Sequence, residues 1–275
     1  MKQPPIERRI YTPADWAQPL AAGIHRPAGP GPHPAVLVVH GGSWSGRSPA
    51  DMSRIARHLA ARGMVAVNTA YRLAPDHPFP APLNDLRQAL TWMADQADDL
   101  GIDADRVGAF GYSAGAHLVS LLALTQPSRG PGPAARLRAV VAGGIPADLT
   151  RWPQSPVVKR FLGVSFRADP QLWVEASPQA HVHAGSPPFF LYHGGLDRLV
   201  EPGQSRRFHQ RLGAAGARSE LHEVPWHGHL SMFLLNRSGL RRGAAFLAGA
   251  LAAGPPAADV VASGHPIRRH RRSPS

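Results

Sequence analysis

Short unbroken runs of hydrophobic residues alternate along the chain with segments whose hydrophobic positions recur every three or four residues. An unbroken run is typical of a strand buried on both faces, and the longer spacing is typical of an amphipathic helix. Buried strands are therefore predicted at 35–39, 64–67, 106–110, 139–142 and 189–192, with a lead-in strand at 18–26 and an alternating one at 218–224. Helical patterns lie between them, around 52–59, 83–93, 204–212 and 240–251.

Strands that alternate with helices indicate an α/β fold, with a mostly parallel, doubly wound sheet and helices on both faces. Residues 145–186 interrupt this alternation with several Pro and Trp residues and only short helical pieces. This insertion follows the carboxyl end of a strand, where a lid over a site would lie. We expect one domain over 1–253, with the lid insertion at about 145–186, and a basic, disordered tail over 254–275.

Composition narrows the possible chemistry. The 275 residues include no cysteine, which excludes disulfides, a thiolate nucleophile and Cys-ligated zinc, and fits a reducing, cytoplasmic location. No hydrophobic run reaches the length of a membrane helix, and the first residues lack the apolar core of a secretion signal, so we expect no membrane association. The net charge of +12 comes almost entirely from Arg, partly in the tail, so no nucleic-acid partner is expected.

The predicted strand at 106–110 leads into Gly111-Tyr-Ser-Ala-Gly115, and a helical pattern follows at once. Two glycines without Cβ atoms let the backbone turn sharply around Ser113. A serine on such a turn projects its hydroxyl from the sheet edge, with the N–H of Ala114 and the helix amino terminus beside it. The five-residue pattern alone is weak, because a chain of this composition can contain it by chance.

A second glycine-containing turn, His40-Gly-Gly-Ser-Trp44, follows the first buried strand. Glycines there allow backbone N–H groups to point toward one spot. With the N–H of Ala114, these donors can stabilise the oxyanion of a tetrahedral intermediate. An ordinary strand-to-helix turn is the alternative interpretation when this motif is considered by itself.

A serine nucleophile needs a histidine base and an acid that orients it. In sheets of this kind the acid and then the histidine follow the serine along the chain. Asp197 comes just after the predicted strand at 189–192, and His227 and His229 come just after the next strand. All of these side chains fall at the same edge of a parallel sheet. Asp148, which follows an earlier strand, is the rival acid.

Five motifs in this order resemble those of α/β-hydrolase carboxylesterases related to the hormone-sensitive-lipase group, and more closely those of compact bacterial esterases similar to feruloyl esterases. They are His40-Gly-Gly-Ser-Trp44, Tyr71-Arg-Leu-Ala-Pro75 with Phe79-Pro80 and Asp85, Gly111-Tyr-Ser-Ala-Gly115, Ala176-Ser-Pro178 and His193-Gly-Gly-Leu-Asp197. The resemblance extends from about residue 17 to residue 252.

The resemblance implies Ser113 as nucleophile, Asp197 as orienting acid, and Gly42, Ser43 and Ala114 as oxyanion-hole donors. In the related esterases the histidine follows a glycine and precedes apolar residues, a pattern that favours His229 over His227. The chain departs from the lipase group in having Tyr112, not an acid, before the nucleophile. Trp44 and Tyr112 are expected in the substrate pocket, with core packing as the alternative for Trp44.

These residues predict a serine hydrolase that cleaves carboxylic esters of short or compact acyl groups. The expected partner is a small-molecule ester, no metal or other cofactor is expected, and the protein is expected to be a monomer or homodimer. Two alternatives stay open: an arylformamidase-type amidase, whose substrate passes through the same oxyanion, and a hydrolase fold used only for binding. His117 is expected to be a packed, hydrogen-bonded residue, and Asp85 and Arg72 a structural pair.

Overall fold

The computed structural model describes residues 6–126 and 135–252. In these residues eight strands form one sheet in the order β1-β2-β4-β3-β5-β6-β7-β8. The strands are β1 (Glu7–Ile10), β2 (Ala21–His25), β3 (His33–Val39), β4 (Val65–Thr69), β5 (Ile102–Tyr112), β6 (Leu137–Gly143), β7 (Phe189–Gly194) and β8 (Ser219–Val224). The tail expected at 254–275 lies outside the described residues.

Strands β3 to β8 all run parallel to one another. At one edge of the sheet β2 pairs antiparallel with β4, and β1 pairs antiparallel with β2. The mostly parallel α/β sheet is therefore confirmed. The short edge strand β1 was not predicted, because its four residues include two arginines and form no hydrophobic run. Since β3, β5, β6, β7 and β8 are parallel, their carboxyl ends meet at one edge of the sheet.

Helices cover both faces of the sheet and explain the unbroken hydrophobic runs. In β3, Leu37 and Val39 pack into a core shared with the helices at Ala81–Asp95 and Ala114–Leu124. Val36 and Val38 pack into a second core shared with the helices at Ser53–Ala60 and Arg237–Ala252. Successive side chains of a strand point to opposite faces, so a strand that is covered on both faces has apolar residues at consecutive positions.

The helices vary in length, and those of the insertion are the short ones. They are α1 (Ser53–Ala60), α2 (Ala81–Asp95), α3 (Ala97–Leu100), α4 (Ala114–Leu124), α5 (Pro156–Leu162), α6 (Pro170–Glu175), α7 (Gly203–Ala214), α8 (His229–Leu234) and α9 (Arg237–Ala252). Short 3₁₀ helices occur at Pro49–Met52, Leu149–Arg151 and Pro178–His181. Among the described helices, none combines the length and the hydropathy needed to cross a bilayer.

Helix α4, which follows Ser113, is buried along its whole length. Its sequence is hydrophobic all round, as expected for a helix enclosed by other elements rather than lying on the surface. Packing on every side holds its first turn in place against the strand ends. The fold therefore provides a rigid support for the residues at the carboxyl edge of the sheet.

Candidate active site

Ser113 occupies a strained turn between β5 and α4. Its φ of 55° and ψ of −122° lie in a region that residues with a side chain rarely adopt. A Cβ at Gly111 would lie 2.4 Å from the carbonyl oxygen of Gly115, and a Cβ at Gly115 would lie 2.2 Å from that of Val39. The N–H of Ser113 donates to the carbonyl of Gly143 at 2.8 Å. These close approaches hold the serine on the turn, and they require both glycines of the motif.

The turn after β3 contains three successive residues with positive φ: Gly42 at 111°, Ser43 at 52° and Trp44 at 57°. A Cβ at Gly42 would lie 2.3 Å from the carbonyl oxygen of Gly46, so only glycine fits there. Among the described residues, no acceptor is recorded for the backbone N–H groups of Gly42, Ser43 or Ala114. These three donors are therefore available to a ligand.

This oxyanion loop, His40 to Arg47, lies directly against the serine turn. A Cβ at Gly41 would come within 3.2 Å of the Cβ of Ser113 and 2.9 Å of the carbonyl oxygen of Tyr112. The missing side chain at position 41 is thus what allows the two turns to meet. The donors of one loop and the hydroxyl of the other consequently border the same space.

Asp197 lies in the loop after β7 and is buried. Its Oδ2 is 2.6 Å from Nδ1 of His229, and its Oδ1 accepts the N–H groups of Leu199 and Val200, each at 2.9 Å. Burial alone would raise the pKa of this carboxyl. The hydrogen bonds from His193, His229 and Val200 outweigh that effect and hold the pKa of Asp197 well below its ordinary value.

His229 is the first residue of α8, a helix that the sequence analysis did not predict. Because its Nδ1 faces a carboxylate, Nδ1 carries the proton and Nε2 presents a lone pair. The hydroxyl of Tyr112 donates to the backbone carbonyl of His229 at 2.6 Å, which joins the histidine to the residue before Ser113. In the described part of the chain no hydrogen bond between Ser113 and His229 is recorded, as is common for this pair before substrate binds.

His227, the other candidate base, points elsewhere. Its Nδ1 contacts the hydroxyl of Ser231, in the first turn of α8, at 3.3 Å. The structure thus brings Asp197 together with His229, not with His227. The rival acid Asp148 accepts hydrogen bonds from the N–H and hydroxyl of Thr150, at the start of a short 3₁₀ helix.

A cavity of about 410 Å³ opens beside the serine turn and the oxyanion loop. The insertion contributes residues between Arg151 and Val158, and Leu199 and Val200 close another side. Trp44 lines this cavity, as expected. Tyr112, expected there too, is not among the residues that line the cavity. Its ring lies behind the site, with its centroid 4.8 Å from that of Phe233 and 5.2 Å from that of His229.

Trp44 is held in place by the insertion and by α4. Its indole stacks on Phe161 at 4.4 Å between ring centroids, and its Nε1 donates to Nδ1 of His117 at 3.2 Å. Nε2 of His117 in turn bonds the carbonyl of Ala176 at 2.7 Å. Burial lowers the pKa of His117 to about 4, so its ring is neutral near pH 7. His117 thus has the packed, hydrogen-bonded place expected for it, and it joins the oxyanion loop to the insertion.

The remaining polar candidates have structural partners. Asp85 is fully buried and pairs with Arg72 at 2.8 Å, as expected. His181 bonds the carbonyl of Glu175 at 2.7 Å. Across residues 6–126 and 135–252, no cluster of three or more His, Asp or Glu side chains is arranged to hold a metal ion.

The sequence analysis did not predict two side chains that lie behind Asp197, those of His193 and Ser205. His193 contacts Oδ2 of Asp197 at 3.2 Å, and Ser205 contacts Nδ1 of His193 at 2.6 Å. The spacing of four residues between His193 and Asp197 was visible in the sequence as part of a motif. Ser205 lies on α7 and had no local signal, since only the folded chain brings it to His193.

The strand order, with a serine turn between β5 and α4, identifies the protein as an α/β-hydrolase. The model of the BD-FAE family matches residues 24–212, more than half of the chain, and the chain belongs to that family. Solved structures agree. Apo esterase 2 of Thermogutta terrifontis covers 90% of this chain and 96% of its own, with a TM-score of 0.77 and 25% identity. Bacterial heroin esterase covers 90% and 83%, with a TM-score of 0.76 and 26% identity.

Similar curated proteins come from Mycobacterium tuberculosis. The probable carboxylic ester hydrolase LipM is 32% identical over 72% of this chain and 49% of its own length. Esterase LipQ is 35% identical over 67% and 47%. Carboxylesterase NlhH is 30% identical over 74% and 68%. The chain thus spans about half the length of LipM and LipQ. Because these relatives are named as esterases, the amidase alternative is not favoured.

Proposed function

We propose that this chain is a serine hydrolase that cleaves carboxylic esters through an acyl-enzyme intermediate. The observation that carries the proposal is the 2.6 Å contact between Asp197 and His229, at the sheet edge where Ser113 occupies its strained turn. An imidazole fixed in this tautomer can take a proton at Nε2, which is what a serine hydroxyl needs in order to attack. The names of the relatives and structural neighbours support ester hydrolysis as the reaction.

In the first half-reaction the Ser113 hydroxyl attacks the ester carbonyl while its proton passes to Nε2 of His229. The negative charge that develops on the carbonyl oxygen is bound by the N–H groups of Gly42, Ser43 and Ala114. These donors are aimed before the reaction starts, so no reorganisation is needed when the charge forms. Asp197 stabilises the imidazolium ion that results.

Collapse of the tetrahedral intermediate breaks the bond to the alcohol, which leaves with the proton from His229. Water then attacks the acyl-serine, giving its proton to His229, and the acid is released as Ser113 regains its hydrogen. Each proton taken by His229 is returned within the same half-reaction, so the cycle needs no cofactor.

We further propose that the acyl groups are short or compact, and that the insertion at 145–186 forms a lid over them. The cavity of about 410 Å³ lies at the small end of ligand pockets. Structures of Thermogutta terrifontis esterase 2 with butyrate and with propionate support this size. Comparable kcat/KM on long-chain and short-chain p-nitrophenyl esters would contradict it.

We also propose that the protein has a single domain over 1–253 and binds a small-molecule ester as substrate. We propose further that it is a monomer or homodimer and is cytoplasmic. The absence of cysteine from the sequence supports a reducing compartment. Light scattering of the purified protein checks the oligomeric state.

A fluorophosphonate probe tests the nucleophile, because it modifies only an activated serine. Thermogutta terrifontis esterase 2 is described as phosphorylated by paraoxon, which supports using a phosphorus electrophile here. We expect labelling of the wild type and none of Ser113→Ala. Persistent labelling of that variant would refute the assignment.

The base is tested by a matched pair of histidine variants. We expect His229→Ala to abolish both labelling and turnover of p-nitrophenyl acetate, whereas His227→Ala leaves both close to wild type. The opposite result would move the base to His227. His227 is the suitable control because it lies two residues away and its side chain contacts Ser231 of α8.

A further inference from the structure

One side chain gives the cavity beside Ser113 a formal charge. Among the described residues that line it, Arg151 is the only one ionised at neutral pH. Its neighbours in the cavity are mainly apolar, including Trp44, Pro146, Trp152 and Val158. Walls of low polarity strengthen the field of a charge that opens onto the same space.

The guanidinium of Arg151 has no counter-ion among residues 6–126 and 135–252. The nearest carboxylate in the sequence, that of Asp148, accepts hydrogen bonds from the N–H and the hydroxyl of Thr150. Arg72 shows the contrast, because Asp85 binds its guanidinium at 2.8 Å. A planar guanidinium pairs with a carboxylate through two parallel hydrogen bonds, so a carboxylate is the group that Arg151 suits best.

We propose that the site prefers carboxylic esters that carry a second, ionised carboxylate, and that Arg151 determines this specificity. The substrate class is a compact ester with an apolar, flat body between the scissile bond and the carboxylate, which Trp44 and Trp152 accommodate. This inference rests on the proposed esterase function and adds the charge of the substrate to it.

Two pairs of test esters differ only in charge. On the alcohol side, 4-acetoxybenzoate is compared with neutral 4-acetoxybenzamide; on the acyl side, monomethyl terephthalate is compared with methyl 4-carbamoylbenzoate. We expect kcat/KM to favour the charged member of at least one pair by up to about fivefold, because Arg151 is exposed and an exposed ion pair contributes at most about 1 kcal/mol. Added salt should reduce the preference, because the charge is reached by solvent.

Variants of Arg151 show whether this residue causes the preference. Arg151→Gln should remove it and Arg151→Glu should reverse it. Arg151→Lys should keep only part of it, because an ammonium group cannot form the two parallel hydrogen bonds. Arg160→Gln is the control, since Arg160 is exposed on α5 of the same insertion but does not line the cavity. Equal rates within both pairs for the wild type, or equal loss on charged and neutral esters in Arg151→Gln, would overturn the proposal. If the wild type turned over p-nitrophenyl acetate but none of the four esters, this inference alone would fall. If it turned over neither, the proposed function would fall with it.

A different observation concerns the groups behind Asp197. Oδ2 of Asp197 accepts hydrogen bonds from two imidazoles: Nδ1 of His229 at 2.6 Å and Nε2 of His193 at 3.2 Å. His193 is completely buried at the end of β7, and its Nε2 also contacts the carbonyl of Val200 at 2.9 Å. Both neighbours of Nε2 are acceptors, so this nitrogen carries a proton.

Ser205 completes the arrangement from α7. Its hydroxyl lies 2.6 Å from Nδ1 of His193 and is itself buried. Because the two acceptors at Nε2 hold the proton of a neutral ring there, Nδ1 accepts the hydrogen of the Ser205 hydroxyl, which fixes the ring in place. A ring with the proton on Nδ1 would instead turn a lone pair toward the carboxylate.

We infer that His193 and Ser205 are positioning residues, which hold the Asp197 carboxylate aimed at His229. The titratable groups against Asp197 are His193 of β7, His229 of α8 and Tyr112 of β5. Removing the His193 donor leaves the Asp197 carboxylate with one hydrogen bond fewer to fix its direction. We therefore expect the contact between Asp197 and Nδ1 of His229 to loosen and kcat to fall.

Two variants of His193 separate positioning from packing. His193→Gln keeps an N–H near the place of Nε2, whereas His193→Leu keeps similar volume without a donor. We expect the Leu variant to lose about tenfold in kcat at unchanged KM, and the Gln variant to recover most of that loss. Ser205→Ala should also lower kcat at unchanged KM, and it serves if the Leu variant does not fold. Equal losses in the Gln and Leu variants, or an unchanged kcat in Ser205→Ala, would refute the inference.

Discussion

Two loops border the same cavity: the oxyanion loop after β3, and the loop at 195–202 after β7, which contains Asp197 and is called the acid loop. They differ in whether their polar groups have hydrogen-bond partners. In the acid loop, both oxygens of Asp197 are bound, by two imidazoles and two backbone N–H groups. In the oxyanion loop, the N–H groups of Gly42 and Ser43 have no recorded acceptor among the described residues, and the backbone is strained.

The difference follows from when each charge exists. The charge of Asp197 is present throughout the cycle, so a buried carboxylate must be fully hydrogen-bonded in the resting state. In the proposed reaction the charge on the carbonyl oxygen exists only transiently, so its donors have no partners in the resting state. A rigid backbone, rather than hydrogen bonds, has to keep these donors in place.

The largest expected effect comes from the acid loop. Asp197→Asn keeps the shape of the side chain but lets the imidazole of His229 adopt the wrong tautomer. We expect kcat to fall by about four orders of magnitude, the loss known for the same change in other serine hydrolases. Steady-state kinetics on p-nitrophenyl acetate measure it, with the melting temperature as a check that the fold is retained. A loss below tenfold would show that Asp197 does not orient the base.

The next effect breaks the oxyanion loop. Gly42→Ala places a Cβ 2.3 Å from the carbonyl of Gly46 at a positive φ, which forces the loop to move. We expect kcat to fall by about 100-fold to 1,000-fold, the cost of misplacing an oxyanion donor. Gly63→Ala is the control, because Gly63 also has a positive φ, of 82°, but has no atom within 4 Å of the added Cβ. It should reduce stability slightly and leave kcat unchanged.

A smaller effect tests what keeps the oxyanion loop rigid. His117, which receives the hydrogen bond of Trp44, has its pKa lowered from 6.5 to about 4 by burial. A depressed pKa means that the unfolded state binds the proton more readily. The unfolding free energy is therefore highest above about pH 6.5, where His117 is neutral in both states, and it falls as the pH drops toward 4. The loss is about 3 kcal/mol of unfolding free energy.

Urea unfolding at pH 7.5 and pH 4.5 measures this loss, with His117→Gln as the matched variant. Glutamine does not titrate, so the difference in stability between the two pH values should shrink by most of that amount. The same difference in wild type and variant would show that His117 is not the group responsible.

The smallest expected effect concerns the link between the two sides of the site. Tyr112→Phe removes the hydroxyl that donates to the carbonyl of His229 at 2.6 Å and leaves the ring packed against Phe233. We expect a loss of about 1 kcal/mol of stability, the usual net value of one hydrogen bond, and a few-fold loss of kcat. If kcat fell as far as in Asp197→Asn, the tyrosine would have a direct role in the chemistry.

Local patterns were sufficient for the central strands and for the order of the motifs. Strands at the middle of the sheet are covered on both faces, so burial leaves an unbroken hydrophobic run that is visible in the sequence. Ser113 and Asp197 could be named because each follows such a strand, and parallel strands end at one edge. His229 follows the alternating edge strand β8, and only the resemblance to related esterases favoured it over His227. Strand β1 and helix α8 could not be predicted, because β1 is an exposed edge strand and α8 has only six residues.

Hydrophobic runs in the sequence indicated the central strands, and the order of the motifs indicated the family. The contacts between side chains became visible in the folded chain alone: Asp197 binds His229 and not His227, Tyr112 lies behind the cavity rather than in it, and Ser205 bonds His193. The two kinds of information differ in the range of the interactions behind them. Hydrophobic periodicity and glycine turns depend on neighbours along the chain, whereas a hydrogen bond within 3 Å depends on how separate elements pack. No local pattern records that packing.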